Sequence, residues 1–173
     1  YLKSYTSEEV IQFARHEQNN VGVAYTYNEP IVFYEYVLET AKHAHENGLK
    51  NVFVSNGYIN PEPLEKLIPF IDAFSINLKG FTKAYYEEMC SGNLEDVKKA
   101  ILQIKEAGKH IELTNLVVTD VNDQESDFYE MIKWIANSLG EETVLHISRY
   151  FPMFKFKNLP TSHSKLKILF KIA

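Results

Sequence analysis

Asn77 and Lys79 stand two residues apart in the run Ala73-Phe74-Ser75-Ile76-Asn77-Leu78-Lys79. In an extended chain that spacing sends Ser75, Asn77 and Lys79 to one face and Phe74, Ile76 and Leu78 to the other. In a barrel covered by helices that polar face would line the interior, where an amide and an ammonium need partners, and an exposed edge strand would carry the same pattern with its polar face wet. Glu29 precedes Pro30, which pushes its backbone toward extended geometry and leaves its carboxylate at the start of a helix. There it can cap the helix or hold a cationic amine. Asn56-Gly57 ends an apolar run and lets backbone come close to a ligand. His146 lies near the end of another such run and is a candidate ligand contact.

The other ionisable groups read as structural. His43 and His45 are two apart on a helix, so they diverge and face solvent, and His16 and His163 also read as surface. His110 starts its strand, the end of a parallel α/β unit that serves stability. Cys90, in Glu88-Met89-Cys90-Ser91-Gly92, reads as a partly buried thiol with no assigned histidine to activate it.

These residues need elements to hold them. Thr6 and Glu9 form a capping box before a first helix that ends near Asn19-Asn20. Strands are predicted over Val21 to Tyr27, Asn51 to Ser55, Asp72 to Lys79, His110 to Val118 and Thr143 to Ser148. Helices are predicted from Pro30 to Gly48, Pro61 to Phe70, Thr82 to Met89, Asn93 to Ala107, Asp123 to Leu139, and Ser162 to the end. Strands separated by helices require parallel pairing with right-handed crossovers, which leaves a doubly wound open sheet or a (β/α) barrel, whole or partial. No G-x-G-x-x-G or G-x-x-x-x-G-K-[ST] follows a strand, so the usual phosphate cradle is absent. Polar and aromatic residues end the strands instead: Tyr25 to Pro30, Ser55 to Tyr58, Asn77 to Gly80, Thr114-Asn115, and His146 to Tyr150. In parallel α/β folds ligands bind at this rim.

Composition narrows the classes further. The 173 residues carry 18 Lys plus Arg against 23 Asp plus Glu, a net charge of -5 with both signs mixed along the chain. Nucleic-acid binding is not expected from that pattern. No apolar run approaches the roughly 20 residues of a membrane span. A lone cysteine forms no internal disulfide, which together with the missing signal peptide points to a reducing cytoplasm. One domain, 1–173, is expected, and a first residue of Tyr1 rather than Met suggests a piece of a longer product.

Taken in order and spacing, Tyr25-Thr26-Tyr27-Asn28-Glu29-Pro30, Ser55-Asn56-Gly57-Tyr58-Ile59, Asn77-Leu78-Lys79-Gly80-Phe81 and His146-Ile147-Ser148-Arg149-Tyr150-Phe151-Pro152 resemble the radical SAM enzymes of the AmmeMemoRadiSam set. Those enzymes are similar to pyruvate formate-lyase activating enzymes. The resemblance, running from about Thr6 to Thr161, implies an α/β fold: a partial (β/α) TIM-like barrel of parallel strands, here missing the first βα unit. It implies S-adenosylmethionine as cofactor, with a [4Fe-4S] cluster held in the complete protein by a C-x3-C-x2-C loop upstream of Tyr1. Reductive cleavage would give a 5′-deoxyadenosyl radical that abstracts hydrogen from a substrate, with electrons from a reductant protein. The cluster ligands are absent from this chain, so the piece alone is expected to be inactive.

By the same resemblance, Tyr27-Asn28-Glu29 takes the place of a Gly-Gly-Glu segment at the cofactor's amino group. Asn56 matches a ribose contact, Lys79 a lysine at the cofactor carboxylate, and His146 a residue on the adenine side. Asn77 stands where the family pattern has Asp, exchanging an acceptor-only group for an amide that also donates. A rim of Tyr25, Tyr27, Tyr58 and Tyr150 is expected to suit either a protein or a small-molecule substrate. Two other readings stay open: a barrel aldolase using Lys79 as a Schiff-base nucleophile, and a non-catalytic binding module. A missing βα unit would also leave an unpaired edge near Val21 to Tyr27, from which self-association is expected.

Overall fold

The structure, a computed structural model, describes residues 3–173. Thr6 opens the first helix as expected: its Oγ1 accepts from the Glu9 N–H at 3.2 Å, and Glu9 Oε2 accepts from the Thr6 N–H at 2.8 Å. The chain then runs α1 (Ser7–His16), β1 (Gly22–Tyr25), α2 (Tyr34–Glu46), β2 (Lys50–Ser55), α3 (Pro61–Leu67) and β3 (Ala73–Asn77). It continues through α4 (Lys83–Met89), α5 (Leu94–Glu106), β4 (His110–Val117), α6 (Glu125–Leu139), β5 (Val144–Arg149) and α7 (His163–Ile172).

All five strands pair in parallel, in the order β1-β2-β3-β4-β5. Sequential parallel neighbours need a helical crossover each time, so every helix between strands packs on the same side. The residues pointing that way are apolar and buried: Phe53, Phe74, Ile76, Leu78 and Leu113 meet Val37, Ala41, Leu64, Leu67, Ile101, Ile104 and Met131. Phe53 and Phe74 pack edge to face at 6.0 Å between ring centres. Each such side chain contributes about 1.5–3 kcal/mol by leaving water. Asn51 is one of three buried polar strand residues on this side, with Ser55 and Asn115. Its Nδ2 donates to the Ala41 and Phe70 carbonyls at 2.9 Å, and its Oδ1 accepts from Tyr25 Oη at 2.9 Å. With its hydrogen-bonding groups used, the buried amide ties β1 and β2 to α2.

The opposite face of the sheet is polar. Register places Val54, Ser75, Glu112 and Val144 in one row, and Asn77, Thr114 and His146 in the next toward the carboxyl ends. These residues are half-buried or exposed. One apolar helix-covered face and one polar inner face make this a parallel α/β sheet of the partial TIM-barrel type, as the resemblance implied; the alternation of strands and helices alone had left a doubly wound sheet open as well.

The strand ends differ from expectation in ways that matter for the rim. β3 stops at Asn77 because the Leu78 N–H turns back to the Ile76 carbonyl at 3.1 Å, so Lys79 leaves the sheet and is exposed. Its alternation with Asn77 therefore does not set where its side chain lies. β1 stops at Tyr25, and the helix expected from Pro30 begins with a 3-10 turn, Pro30–Phe33, before α2. His43, expected to face solvent, is half-buried, and its Nδ1 is buried without a hydrogen-bond partner. No helix among the described residues is long and apolar enough to cross a membrane.

Candidate functional site

Glu29 joins the first two strand ends. Its Oε1 accepts from Ser55 Oγ at 2.7 Å and from the Ile31 N–H at 3.3 Å, and its Oε2 accepts from the Asn56 N–H at 2.8 Å. It caps the 3-10 turn, as one sequence reading had it, and it also clamps β2's end to β1's. A carboxylate offers about four lone-pair sites, so three donors leave it room for a further cationic hydrogen. Tyr27 and Asn28 lie just outside this clamp. Both are exposed, Tyr27 to 89%.

The next turn is shaped by Gly57. Its φ is +73°, and a Cβ there would come within 2.8 Å of Ile76 Cγ2. Only glycine meets both constraints. The turn lets Asn56 Oδ1 accept from the Tyr58 N–H at 2.7 Å, which uses the oxygen and leaves the amide's N–H groups for a ligand acceptor. Asn77 Nδ2 donates to the Ser55 carbonyl at 3.3 Å, linking β2 and β3 across the rim.

Lys79 is held by its backbone. Its N–H donates to Tyr86 Oη at 3.3 Å, and its carbonyl accepts from Asn122 Nδ2 at 2.6 Å. A Cβ at the following Gly80 would strike the Tyr85 ring. Its ammonium takes part in none of the ion pairs among the described residues. Lys79 and Asn56 line one cavity of about 80 Å³ together with Tyr58, Tyr86, Cys90, Gly92 and Val97. Burial pushes the Cys90 thiol up from its ordinary pKa, and the positive charge of Lys79 opposes that shift. The thiol is thus held protonated rather than activated, in keeping with a structural role. Pockets that enclose a whole cofactor run to about 300–1,000 Å³, so this cavity suits one end group, and a larger molecule would lie along the open rim.

His146 is set apart from that cavity. It sits on β5 in the row of Asn77 and Thr114, and its Nε2 meets Glu112 Oε2 at 2.7 Å. Glu112 Oε1 also receives His110 Nε2 at 3.1 Å. These two hydrogen bonds, with the His146 one foremost, hold the Glu112 carboxyl below the usual glutamate range. The fold therefore brings Glu29, Asn56 and Asn77 into contact through Ser55 or its neighbours and joins Asn56 to Lys79 around one cavity. His146 belongs to the same polar face but to a second cluster.

The tyrosine rim needs correction. Tyr25 and Tyr150 are buried, and desolvation pushes the Tyr25 hydroxyl well above its ordinary pKa. Only Tyr27 and Tyr58 are exposed. Sequence reading overlooked Glu112 and Asn122. Glu112 carried the same signal as Asn77, a polar residue alternating with apolar ones between His110 and Thr114. Asn122 sits in a loop, and nothing local marks the reach of its amide to Lys79 and Leu116.

A five-stranded parallel sheet with a polar inner face and a hydrogen-bonded rim at its carboxyl ends defines a TIM-barrel-like α/β protein. The model of the radical SAM superfamily matches residues 1–135, and the chain belongs to that superfamily. It is 40% identical over 155 residues to an uncharacterized protein of Methanocaldococcus jannaschii, an alignment covering 90% of this chain and 45% of that one. It is 22% identical over 160 residues to the 4-hydroxyphenylacetate decarboxylase activating enzyme of Clostridium scatologenes, covering 86% and 50%. The chain thus spans about half the length of these curated relatives. A domain of a pyruvate-formate lyase-activating enzyme from Bacteroides vulgatus shares the fold at TM-score 0.72 and 18% identity, over 87% of this chain and 91% of that one. SuiB of Streptococcus suis bound to S-adenosylmethionine matches at TM-score 0.75 and 12% identity, over 98% and 40%.

Radical SAM enzymes use S-adenosylmethionine with a [4Fe-4S] cluster. The cluster does not fit this chain's own residues, because a site of three thiolates cannot be made from Cys90 alone. The rim does fit the sulfonium cofactor's end groups, with a free ammonium, amide donors and a carboxylate that retains acceptor capacity.

Proposed function

We propose that this chain is the S-adenosylmethionine-binding portion of a radical SAM enzyme similar to pyruvate formate-lyase activating enzymes. In this reading residues 1–173 are a single domain, the C-terminal part of the partial barrel, working in a reducing cytoplasm. The observation that carries it is the junction at the rim: Glu29 bonded to Ser55 and Asn56, with Asn56 and Lys79 lining one cavity.

Lys79, anchored at its backbone and unpaired at its ammonium, would take the cofactor's carboxylate. The carboxylate of Glu29, beside Tyr27 and Asn28, would take the amino group. Asn56 would donate to the ribose, Asn77 would brace the turn beneath it, and His146 would face the adenine. Bound in the complete protein, the cofactor would supply radical chemistry for hydrogen abstraction, with electrons from a partner reductant. The substrate is a further proposal at the level of class only, a protein glycine or a small molecule. By itself the chain would bind without catalysing. A Schiff-base role for Lys79 needs a desolvated amine, and Lys79 is exposed, so nothing in the structure favours the aldolase reading.

Calorimetric titration of the complete, cluster-loaded protein tests this. Lys79→Ala should weaken S-adenosylmethionine binding by about tenfold or more, the scale of one charge-assisted contact. The decarboxylated analogue should bind wild type and variant alike. Equal losses for both ligands would remove Lys79 from the carboxylate.

A further inference from the structure

The polar inner face holds one ionised group that the cofactor reading leaves without a task. Glu112 points from β4 into the row below His146, and both its oxygens are engaged by imidazoles: Oε2 by His146 Nε2 at 2.7 Å and Oε1 by His110 Nε2 at 3.1 Å. An ionised carboxylate only accepts hydrogen bonds, so each imidazole must place its proton on Nε2. In its neutral form the His146 ring then has a bare Nδ1. The contact with Glu112 is the ring's one hydrogen bond among the described residues, and the side chain is 51% exposed on the inner face. Ser75, Thr114, Val144 and Ser148 surround the pair in register and bring no competing charge.

We propose that Glu112 is a positioning residue, fixing His146 so that its Nδ1 presents an acceptor to the exocyclic amine of a purine and so selects an amino over a keto base. The inference rests on the reading that His146 faces the adenine. A 6-amino purine donates toward that nitrogen. A 6-keto purine turns an acceptor toward it, leaving two lone pairs opposed. Without Glu112 a neutral imidazole interchanges its tautomers, and a ring that carries Nδ1–H meets the keto base as a donor. Discrimination by one hydrogen bond of this kind is worth about a tenfold difference in affinity.

The test uses the complete cluster-loaded protein at alkaline pH. Nitrogen-15 NMR of His146 should show a protonated Nε2 and a bare Nδ1 in wild type, and averaged tautomers in Glu112→Ala. Affinities for S-adenosylmethionine and its inosine analogue, S-inosylmethionine, should differ by about tenfold in wild type and by about twofold or less in Glu112→Ala and in His146→Ala. If Glu112→Ala does not fold, as judged by circular dichroism, Glu112→Gln serves in its place. Where its NH2 faces His146 the ring must accept at Nε2 and carry its proton on Nδ1, so a His146 nitrogen pattern shifted to Nδ1–H should come with reduced discrimination, and a shifted pattern with full discrimination would overturn the proposal. A His146→Ala variant that loses the discrimination while the Glu112 variant keeps it would overturn the positioning role. Wild type that binds both analogues equally, with His146→Ala unchanged, would instead remove His146 from the base and the underlying reading with it. Averaged tautomers with undiminished discrimination would also overturn the proposal.

Discussion

Glu112 shows how a single carboxylate acquires a measurable signature from its neighbours. Hydrogen bonds from His146 and His110 keep its pKa below the ordinary glutamate value. A carboxyl whose folded pKa is depressed stabilises the protein above its unfolded pKa, about 4.5, and that contribution disappears as pH falls through the folded value. Glu112→Gln should therefore flatten the acid limb of stability below about pH 4.5, as read from urea midpoints across pH, with little change in its slope above neutrality. An acid limb identical to wild type would mean the two imidazoles do not favour the ionised form. Glu29 works differently. Two of its donors come from the end of β2 and the third from the 3-10 turn it caps, so its first effect is to hold the rim's shape.

At the scale of elements, the turn after β2 decides whether Asn56 is presented at all. Gly57 combines φ +73° with a Cβ position 2.8 Å from Ile76 Cγ2, whereas Gly48 has the same φ with nothing within 4 Å. Gly48→Ala should cost only the left-handed backbone penalty, about 1–2 kcal/mol. Gly57→Ala should cost that plus about 1–3 kcal/mol for displacing buried Ile76. Paired urea unfolding measures both, and equal losses would show that Ile76 yields freely. A different turn, the one after β3, shows why strand ends were the least legible part of the chain. A hydrogen bond from the Leu78 N–H to the Ile76 carbonyl ends β3 two residues short of Lys79, although the alternation in residue type continues through it.

Across the whole molecule, the accessible surface is 10931 Å², well above the about 8,700 Å² typical of a globule of 20.0 kDa. The excess agrees with an open sheet: the inner-face residues are half-buried or exposed, and among the described residues β1 pairs on one side only, with β2. An unpaired parallel edge is a template for another strand. We therefore expect the 173-residue chain to self-associate through Gly22–Tyr25. Light scattering should show an apparent mass rising with concentration, and a constant monomer mass at high concentration would dispose of the edge as an association site.

Residue periodicity and punctuation act over a few positions, so the alternating strands and helices, the parallel pairing, and the gathering of Glu29, Asn56, Asn77 and His146 toward one end of the sheet could all be read along the chain. Which of them meet could not. Glu29 reaches Ser55 across 26 residues and Glu112 reaches His146 across 34. Such contacts depend on strand register, on where each strand leaves the sheet, and on how the turns aim a side chain. Those quantities are set by packing between distant elements, which no local pattern encodes.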